Sequence, residues 1–232
     1  MTLAPSSTEP RNMRGVKRRR FGVEDVTREY LERQVDSRMV EVIAEHLRGE
    51  ASVLDVACGS GLYGPYLKAE VPVVYGIDHD PVLCENATAI GAYDRVVCDR
   101  VERSAQHFNG VDAVFCSEFL EHLPDEQVRP TVDALEQLTG HRLVVTVPNP
   151  LSPHFKHDPT HIGTYNVYSM LRTLNASSTF SYRLLPLGFS DIYRDKVWAR
   201  ALDPVSSRVA VLSPTVLYVG DRRERRTAPD PS

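Results

Sequence analysis

The stretch VLDVACGSGLYG, from Val53 to Gly64, constrains this chain more than any other. An aliphatic run ends in Gly59, Gly61 and Gly64, the spacing GxGxxG, which predicts a buried strand, a tight turn and the start of a helix. A strand apolar on both faces has to be covered on both, and such strands belong to parallel sheets whose neighbours are joined by crossover segments. The rest of the chain keeps that rhythm. Short β-branched runs recur as SVLDVA from Ser52, VVYGID from Val73, RVVCD from Arg95, DAVFCS from Asp112 and RLVVTV from Arg142. Polar, helix-compatible segments separate the first three and the last two, and a shorter polar link joins the third to the fourth.

Beyond Pro148 the pattern changes. PNPLSPHFKHDPTHIGTY leads to a helix NVYSMLRTL, after which GFSDIYRDKVWAR and SRVAVLSPTVLYVG read as two strands joined by a short loop. The fold class expected is α/β: a Rossmann-like, seven-stranded, mostly parallel sheet with helices on both faces and a C-terminal antiparallel hairpin. Ahead of the sheet, VEDVTREYLERQVDSRMVEVIAEHL keeps apolar residues at helical spacing and predicts one or two amphipathic helices. Residues 1–20, which end in VKRRR, and 221–232 are too polar to join a core; they are expected to be disordered tails around one domain at 21–220.

The 232 residues, 42% of them apolar, suffice for a single continuous core. A formal charge of −4 marks the chain globally as neither a nucleic-acid nor a membrane binder. Four cysteines, at 58, 84, 98 and 116, form no CxxC pair and read as free thiols of a reducing compartment, the cytoplasm. No run is apolar enough for a secretory signal or a membrane span.

Asp78 follows Gly59 by 19 residues, a spacing that also suits a dinucleotide fold. Three details favour a cationic, adenosine-bearing ligand instead. Asp55 sits inside the first strand, where a pyrophosphate gains nothing from another negative charge. A second complete mononucleotide-binding half is missing after the first. The strand DAVFCS runs directly into EFLEHLPDE, an acidic and histidine-bearing segment that would repel phosphate.

At these residues the chain resembles the class I S-adenosylmethionine-dependent methyltransferases, and within them the ubiquinone-biosynthesis-like, type 11–23 group. The likeness spans roughly Val53 to Phe189. LDVACGSG is similar to the family's first motif, with Ala57 where a glycine often stands; VYGIDHD, VVCDR, DAVFCSEFLEHLPD and LVVTVPN resemble the next four, and LLPLGF the turn before the last two strands. The resemblance implies S-adenosyl-L-methionine as cofactor. Backbone from Ala57 through Cys58, Gly59 and Ser60 to Gly61 would line its methionine end, with Asp55 near the ammonium group. Asp78 would take the ribose diol, Asp99 the adenine amine and His79 the adenine face; Arg100 and Ser117 complete the implied cofactor set. Cys58 is read as a buried thiol without chemistry of its own.

The acceptor is expected to be a small molecule, methylated on a hydroxyl oxygen, with a histidine as base because that side chain titrates near neutrality. Candidates are His122 and the trio His154, His157 and His161, with His161 first among the three. A further possibility rests on spacing: Glu118, Glu121 and His122 fall at i, i+3 and i+4, on one face of a helical turn, and His161 could close a metal set suited to Mn²⁺, Fe²⁺ or Co²⁺. That constellation resembles the small-RNA 3′-terminal 2′-O-methyltransferases, although HDPTHIGTYN lacks that family's aromatic and acidic residues after the last ligand. Many small-molecule methyltransferases carry EHLP without a metal, so no metal is the default. An RNA-terminus methyltransferase and a non-catalytic S-adenosylmethionine sensor are the alternatives, and a monomer or homodimer is expected. Phe21, Tyr30 and Tyr63 are read as packing rather than as sulfonium contacts.

Overall fold

The computed structural model describes residues 37–151, 155, 160–163, 165–188 and 197–224. Strand β1 (Ser52–Val56) is buried at every residue after the first, as an aliphatic run covered on both faces must be. It lies between β2 (Val73–Asp78) and β4 (Val111–Ser117), both parallel to it. β3 (Arg95–Cys98) extends the sheet beyond β2, and β5 (Thr139–Pro148) lies parallel to β4. β6 (Phe180–Pro186) and β7 (Thr215–Arg222) complete the order β3-β2-β1-β4-β5-β7-β6. β7 is antiparallel to both β5 and β6, so the sheet is parallel except for this one inserted strand.

Alternate residues of each strand divide between two cores, as a side-chain period of two requires. On one face Val53, Val74, Phe115, Val144 and Leu217 meet α1 (Ser37–Leu47) and α2 (Gly64–Glu70) through Ile43, Leu47 and Leu67. On the other, Leu54, Val56, Val114, Val145 and Tyr218 meet α5 (Asp125–Leu138) and α6 (Val167–Leu174) through Val128, Val132, Leu135, Met170 and Leu174. Helix α3 (Pro81–Ile90) bridges β2 and β3 and is well punctuated. The Asp80 side chain accepts from the Val82 and Leu83 amides, Pro81 opens the helix, and Gly91 closes it in the left-handed region. A short α4 (Ser104–His107) precedes β4.

The C-terminal strands are antiparallel as expected, and TVLYVG of the second suggested segment forms β7, but the first strand is not the segment the sequence suggested. The first is FSYRLLP, with Phe180 and Tyr182 buried and Ser181 and Arg183 exposed, and LLPLGF is its exit. Part of the expected strand GFSDIYRDKVWAR instead opens α7 (Val197–Ser206), whose apolar residues recur at helical rather than alternating spacing. The two strands are therefore joined by residues 187–214 and not by a tight loop. β7 also runs two residues past the expected domain end: Asp221 accepts from Arg142 Nε at 2.7 Å and pairs with Arg183. No helix among the described residues is long and apolar enough to cross a membrane. Phe21 and Tyr30, like residues 1–20 and 225–232, lie outside the described residues.

Candidate functional site

Because β1 is flanked by β2 on one side and β4 on the other, the chain order reverses at its carboxyl end, where sheets of this kind leave a crevice for ligands. The glycine turn lines that crevice. Ala57 (φ +55°), Gly59 (φ +55°) and Gly61 (φ +87°) all adopt left-handed backbone. The three glycines of GxGxxG then part company. A Cβ on Gly59 would meet nothing within 4 Å, so this is where a ligand can approach the backbone. A Cβ on Gly61 would lie 2.9 Å from the Ala87 Cα, and one on Gly64 would overlap the Tyr93 ring. Those two glycines make room for the protein's own packing. Left-handed backbone costs alanine about 1–2 kcal/mol, partly offset by the freer unfolded chain of glycine at about 0.4–1 kcal/mol. Ala57→Gly is accordingly expected to raise stability by about 0.5–1 kcal/mol in urea titration.

Two carboxylates lie against this turn. Asp78, 4% exposed at the end of β2, accepts the Gly59 amide on Oδ2 at 2.9 Å and the Asp80 amide on Oδ1 at 3.0 Å. Asp55, 1% exposed, receives the Tyr93 hydroxyl on Oδ2 at 2.7 Å. Burial pushes Asp55 up to about 7; the Tyr93 hydrogen bond opposes this and the Asp78 charge adds to it. Folded Asp55 thus keeps a proton that the unfolded chain has lost, and stability falls as pH rises from about 4 to about 7, then levels off. Asp55→Asn is expected to remove that slope from urea midpoints measured between pH 4 and 8. The variant should gain on the order of 2–4 kcal/mol over the parent at pH 8 and nothing at pH 4.

The remaining expected cofactor residues are placed as follows. Asp99, just past β3, accepts His107 Nε2 on Oδ2 at 2.7 Å, with the Arg100 amide at 2.8 Å and Arg103 at 3.4 Å on Oδ1; this shell, His107 foremost, holds it below the usual carboxylate range. Arg100 is exposed and pairs with Glu102. His79 is largely exposed, 3.4 Å from Asp78. Cys58 is buried and its thiol is pushed up by burial, while its amide donates to the Ile77 carbonyl. Ser60 is half-buried in the turn. Ser117 ends β4 and shares a hydrogen bond with Thr146 at 2.7 Å. Tyr63 packs edge-on against Phe115 at 5.0 Å between ring centres.

Next to this crevice the chain gathers Glu121, His122 and His161, whose ligating atoms lie within 4.8 Å of one another. The amides of Ile162 and Gly163 both donate to the Glu121 carbonyl, at 3.1 and 3.0 Å, and so dock the later loop on the Leu120–His122 turn. Each imidazole is anchored through Nδ1, His122 on the Thr160 carbonyl at 3.2 Å and His161 on the Phe155 carbonyl at 3.0 Å. His122 Nδ1 also lies 3.0 Å from the Thr160 hydroxyl; in the tautomer whose Nδ1 donates to these carbonyls, Nε2 carries the lone pair, the arrangement found behind metal-bound and proton-accepting histidines. One buried carboxylate and two such imidazoles fit a divalent transition metal. Glu118 does not share their face: it stands in left-handed backbone (φ +51°), outside the Leu120–His122 turn, and accepts from Thr146 at 3.5 Å. A one-residue left-handed kink breaks the helical spacing expected from i, i+3 and i+4. Burial pushes Glu118 up to about 7. His154 and His157 lie outside the described residues.

Tyr93, Thr146, Thr160 and His107 were not singled out by sequence reasoning. Tyr93, Thr146 and Thr160 act through partners 29 to 38 residues away and His107 through Asp99 across a turn, and only the glycines facing Tyr93 (Gly61, Gly64 and Gly76) left a trace.

Residues 53–140 match the family model described as a methyltransferase domain. The ubiquinone biosynthesis O-methyltransferase of Cronobacter sakazakii is 37% identical over 91 residues, 37% of this chain and 37% of that protein. The match thus spans little more than a third of that relative's length. A SAM-dependent methyltransferase from Archaeoglobus fulgidus has the same fold, with a TM-score of 0.63 at 18% identity over 82% of this chain and 93% of that one. The small RNA methyltransferase HEN1 gives 0.62 at 15% identity, covering 84% of this chain and 26% of the other. Residues 53–140 thus resemble a methyltransferase domain, and the sheet has the fold seen in S-adenosylmethionine-dependent methyltransferase structures.

Proposed function

We propose that the crevice above β1, β2 and β4 binds S-adenosyl-L-methionine and that the chain transfers its methyl group to a hydroxyl oxygen of a small-molecule acceptor. One observation carries the reading. Asp55 and Asp78 lie against the turn and Glu118 follows the end of neighbouring β4, and among the described residues no lysine or arginine pairs with any of them. An acidic crevice of this kind favours a sulfonium with an ammonium group and disfavours a pyrophosphate. Asp78 keeps lone pairs on both oxygens for the ribose diol, and Gly59 leaves room for the ligand beside them. Asp99, Arg100 and His79 stand at the adenine end, with backbone from Ala57 through Ser60 at the methionine end. Asp55 stands in β1 below the turn, with Tyr93 on its carboxyl.

The methyl group of a sulfonium is already electrophilic, so aligning an acceptor oxygen behind it and excluding water supplies much of the rate, roughly 7–11 kcal/mol in favourable cases. The acceptor's proton passes to Nε2 of His122 or His161, the nitrogen left basic by the Nδ1 anchors. Calorimetry with S-adenosylhomocysteine and with NAD tests the cofactor: tight binding of the first alone supports the reading, and preference for NAD overturns it. Release of S-adenosylhomocysteine on incubation with hydroxylated acceptors separates an enzyme from a binding protein.

A second reading is favoured by the Glu121, His122 and His161 cluster. A divalent metal held there would polarise hydroxyls of the acceptor, whether a small-molecule diol or the ribose at an RNA end. Metal analysis of protein purified without chelator decides. Stoichiometric manganese, iron or cobalt, lost in Glu121→Gln and kept in Glu118→Ala, is the expected result under this reading; metal-free protein with full transferase activity ends it. RNA binding that weakens steeply with salt would single out the RNA end.

A further inference from the structure

Two of the four cysteines meet at the carboxyl edge of β2 and β3. Cys84, in the first turn of α3, donates its thiol to the Asp78 carbonyl at 3.2 Å and lies 3.9 Å from the Val97 carbonyl. Cys98, the residue after Val97, lies 3.9 Å from the His79 carbonyl and is the register partner of Asp78. The two sulfurs thus address consecutive carbonyls, one arriving from the helix and the other from the neighbouring strand. Cys98 is exposed, whereas Cys84 is buried. Burial, and then the Cys98 thiol hydrogen-bonded beside it, pushes Cys84 up to about 12, so it rests as a neutral thiol next to the Cys98 sulfur. Cys58 and Cys116 are buried, out of an oxidant's direct reach.

We propose that Cys84 and Cys98 form a peroxide-responsive pair whose disulfide ties α3 to the end of β3 and weakens cofactor binding. Hydrogen peroxide transfers one oxygen to the Cys98 sulfur, giving a sulfenic acid and one water as that sulfur loses two electrons. The Cys84 sulfur then forms the S–S bond, and its proton leaves with the displaced hydroxyl as a second water. In sum the two thiols give two electrons and two protons to peroxide. The bond cross-links the two segments that carry Asp78 and Asp99, the residues assigned above to ribose and adenine. The effect on affinity rests on that cofactor reading; the cross-link does not.

The test uses the full chain, reduced, then treated with hydrogen peroxide, with thiol counting, non-reducing peptide mapping and S-adenosylhomocysteine calorimetry. The expected result is loss of two thiols, a single peptide joining Cys84 to Cys98, and a Kd raised about fivefold or more and restored by dithiothreitol. Cys98→Ser and Cys84→Ala should each bind S-adenosylhomocysteine like the reduced parent, give no cross-link and keep that affinity after peroxide. Thiols consumed without this link, a link to Cys58 instead, or a cross-linked protein that binds as tightly as the reduced one would overturn the proposal. A reduced protein that fails to bind S-adenosylhomocysteine at all would count against the cofactor reading, with the peptide map still deciding the chemistry of the pair.

Discussion

Glu136→Ala is expected to lower folding stability by about 3–5 kcal/mol, the cost of breaking a buried ion pair from one side. Glu136 is 4% exposed on α5, and each of its oxygens accepts two hydrogen bonds. Arg129 Nη2 donates at 2.8 Å and the Tyr182 hydroxyl at 2.7 Å to Oε1; the Ser177 hydroxyl at 2.6 Å and the Thr179 hydroxyl at 3.0 Å donate to Oε2. Alanine would leave three hydroxyls without this acceptor, each costing about 1–3 kcal/mol where water cannot replace it. Arg129 would keep Asp133 at 2.6 Å and the Thr173 and Leu174 carbonyls, which moderates its share. Tyr182 cannot simply rotate away, because its ring fills the space that the missing side chain of Gly220 leaves on β7. The network therefore clamps α5 to the entrance of β6, the strand farthest from β1. Glu136→Gln, which keeps one acceptor oxygen and the shape, should lose about half as much. The check is urea unfolding with an unchanged m-value; a loss below about 1 kcal/mol for alanine would mean that the clamp is dispensable.

How much of this was legible depended on whether the signal was local. The strand, turn and helix at Val53–Glu70 follow from a few adjacent residues, and so does α3, bracketed by Asp80, Pro81 and Gly91. Five parallel strands were visible because buried strands are continuous aliphatic runs. The sixth was not, because it alternates Phe180, Tyr182 and Leu184 with polar residues over a length that a helix such as VWARALDPVS can match in apolar content. At the site, residue types announced the acids and histidines but not what they touch. Spacing placed Glu118 beside Glu121, and a left-handed backbone at Glu118 separates them. Spacing also presented GxGxxG as a ligand cradle, although Gly64 serves the ring of Tyr93, whose hydroxyl in turn takes Asp55. Such pairings depend on how the crossover helix α3 delivers the chain to the start of β3, and a linear pattern does not carry that.

Asp78→Ala is expected to weaken S-adenosylhomocysteine binding by roughly 100-fold, because two hydrogen bonds from the ribose diol to a charged acceptor are worth about 1.5–3 kcal/mol each, less what water returns. The same carboxylate holds the Gly59 amide at 2.9 Å and the Asp80 amide at 3.0 Å, so part of any loss could come from a loosened turn and not from the diol. Asp78→Asn separates the two causes. Its amide oxygen can still accept one backbone N–H, while its NH₂ faces the other donor and the charge is gone. If the diol matters most, Asn should bind nearly as poorly as Ala yet unfold closer to the parent in urea. If the turn matters most, affinity and stability should fall together in both variants, and Gly59→Ala should mimic them. Added alone, that methyl has open space, so without ligand it would strain only the left-handed backbone, by about 1–2 kcal/mol. With ligand it would stand where the methionine end is proposed to approach. Measured with 2′-deoxyadenosine and adenosine as fragments, the parent should prefer adenosine and Asp78→Ala should lose that preference. A variant that still tells the two apart would place the ribose elsewhere.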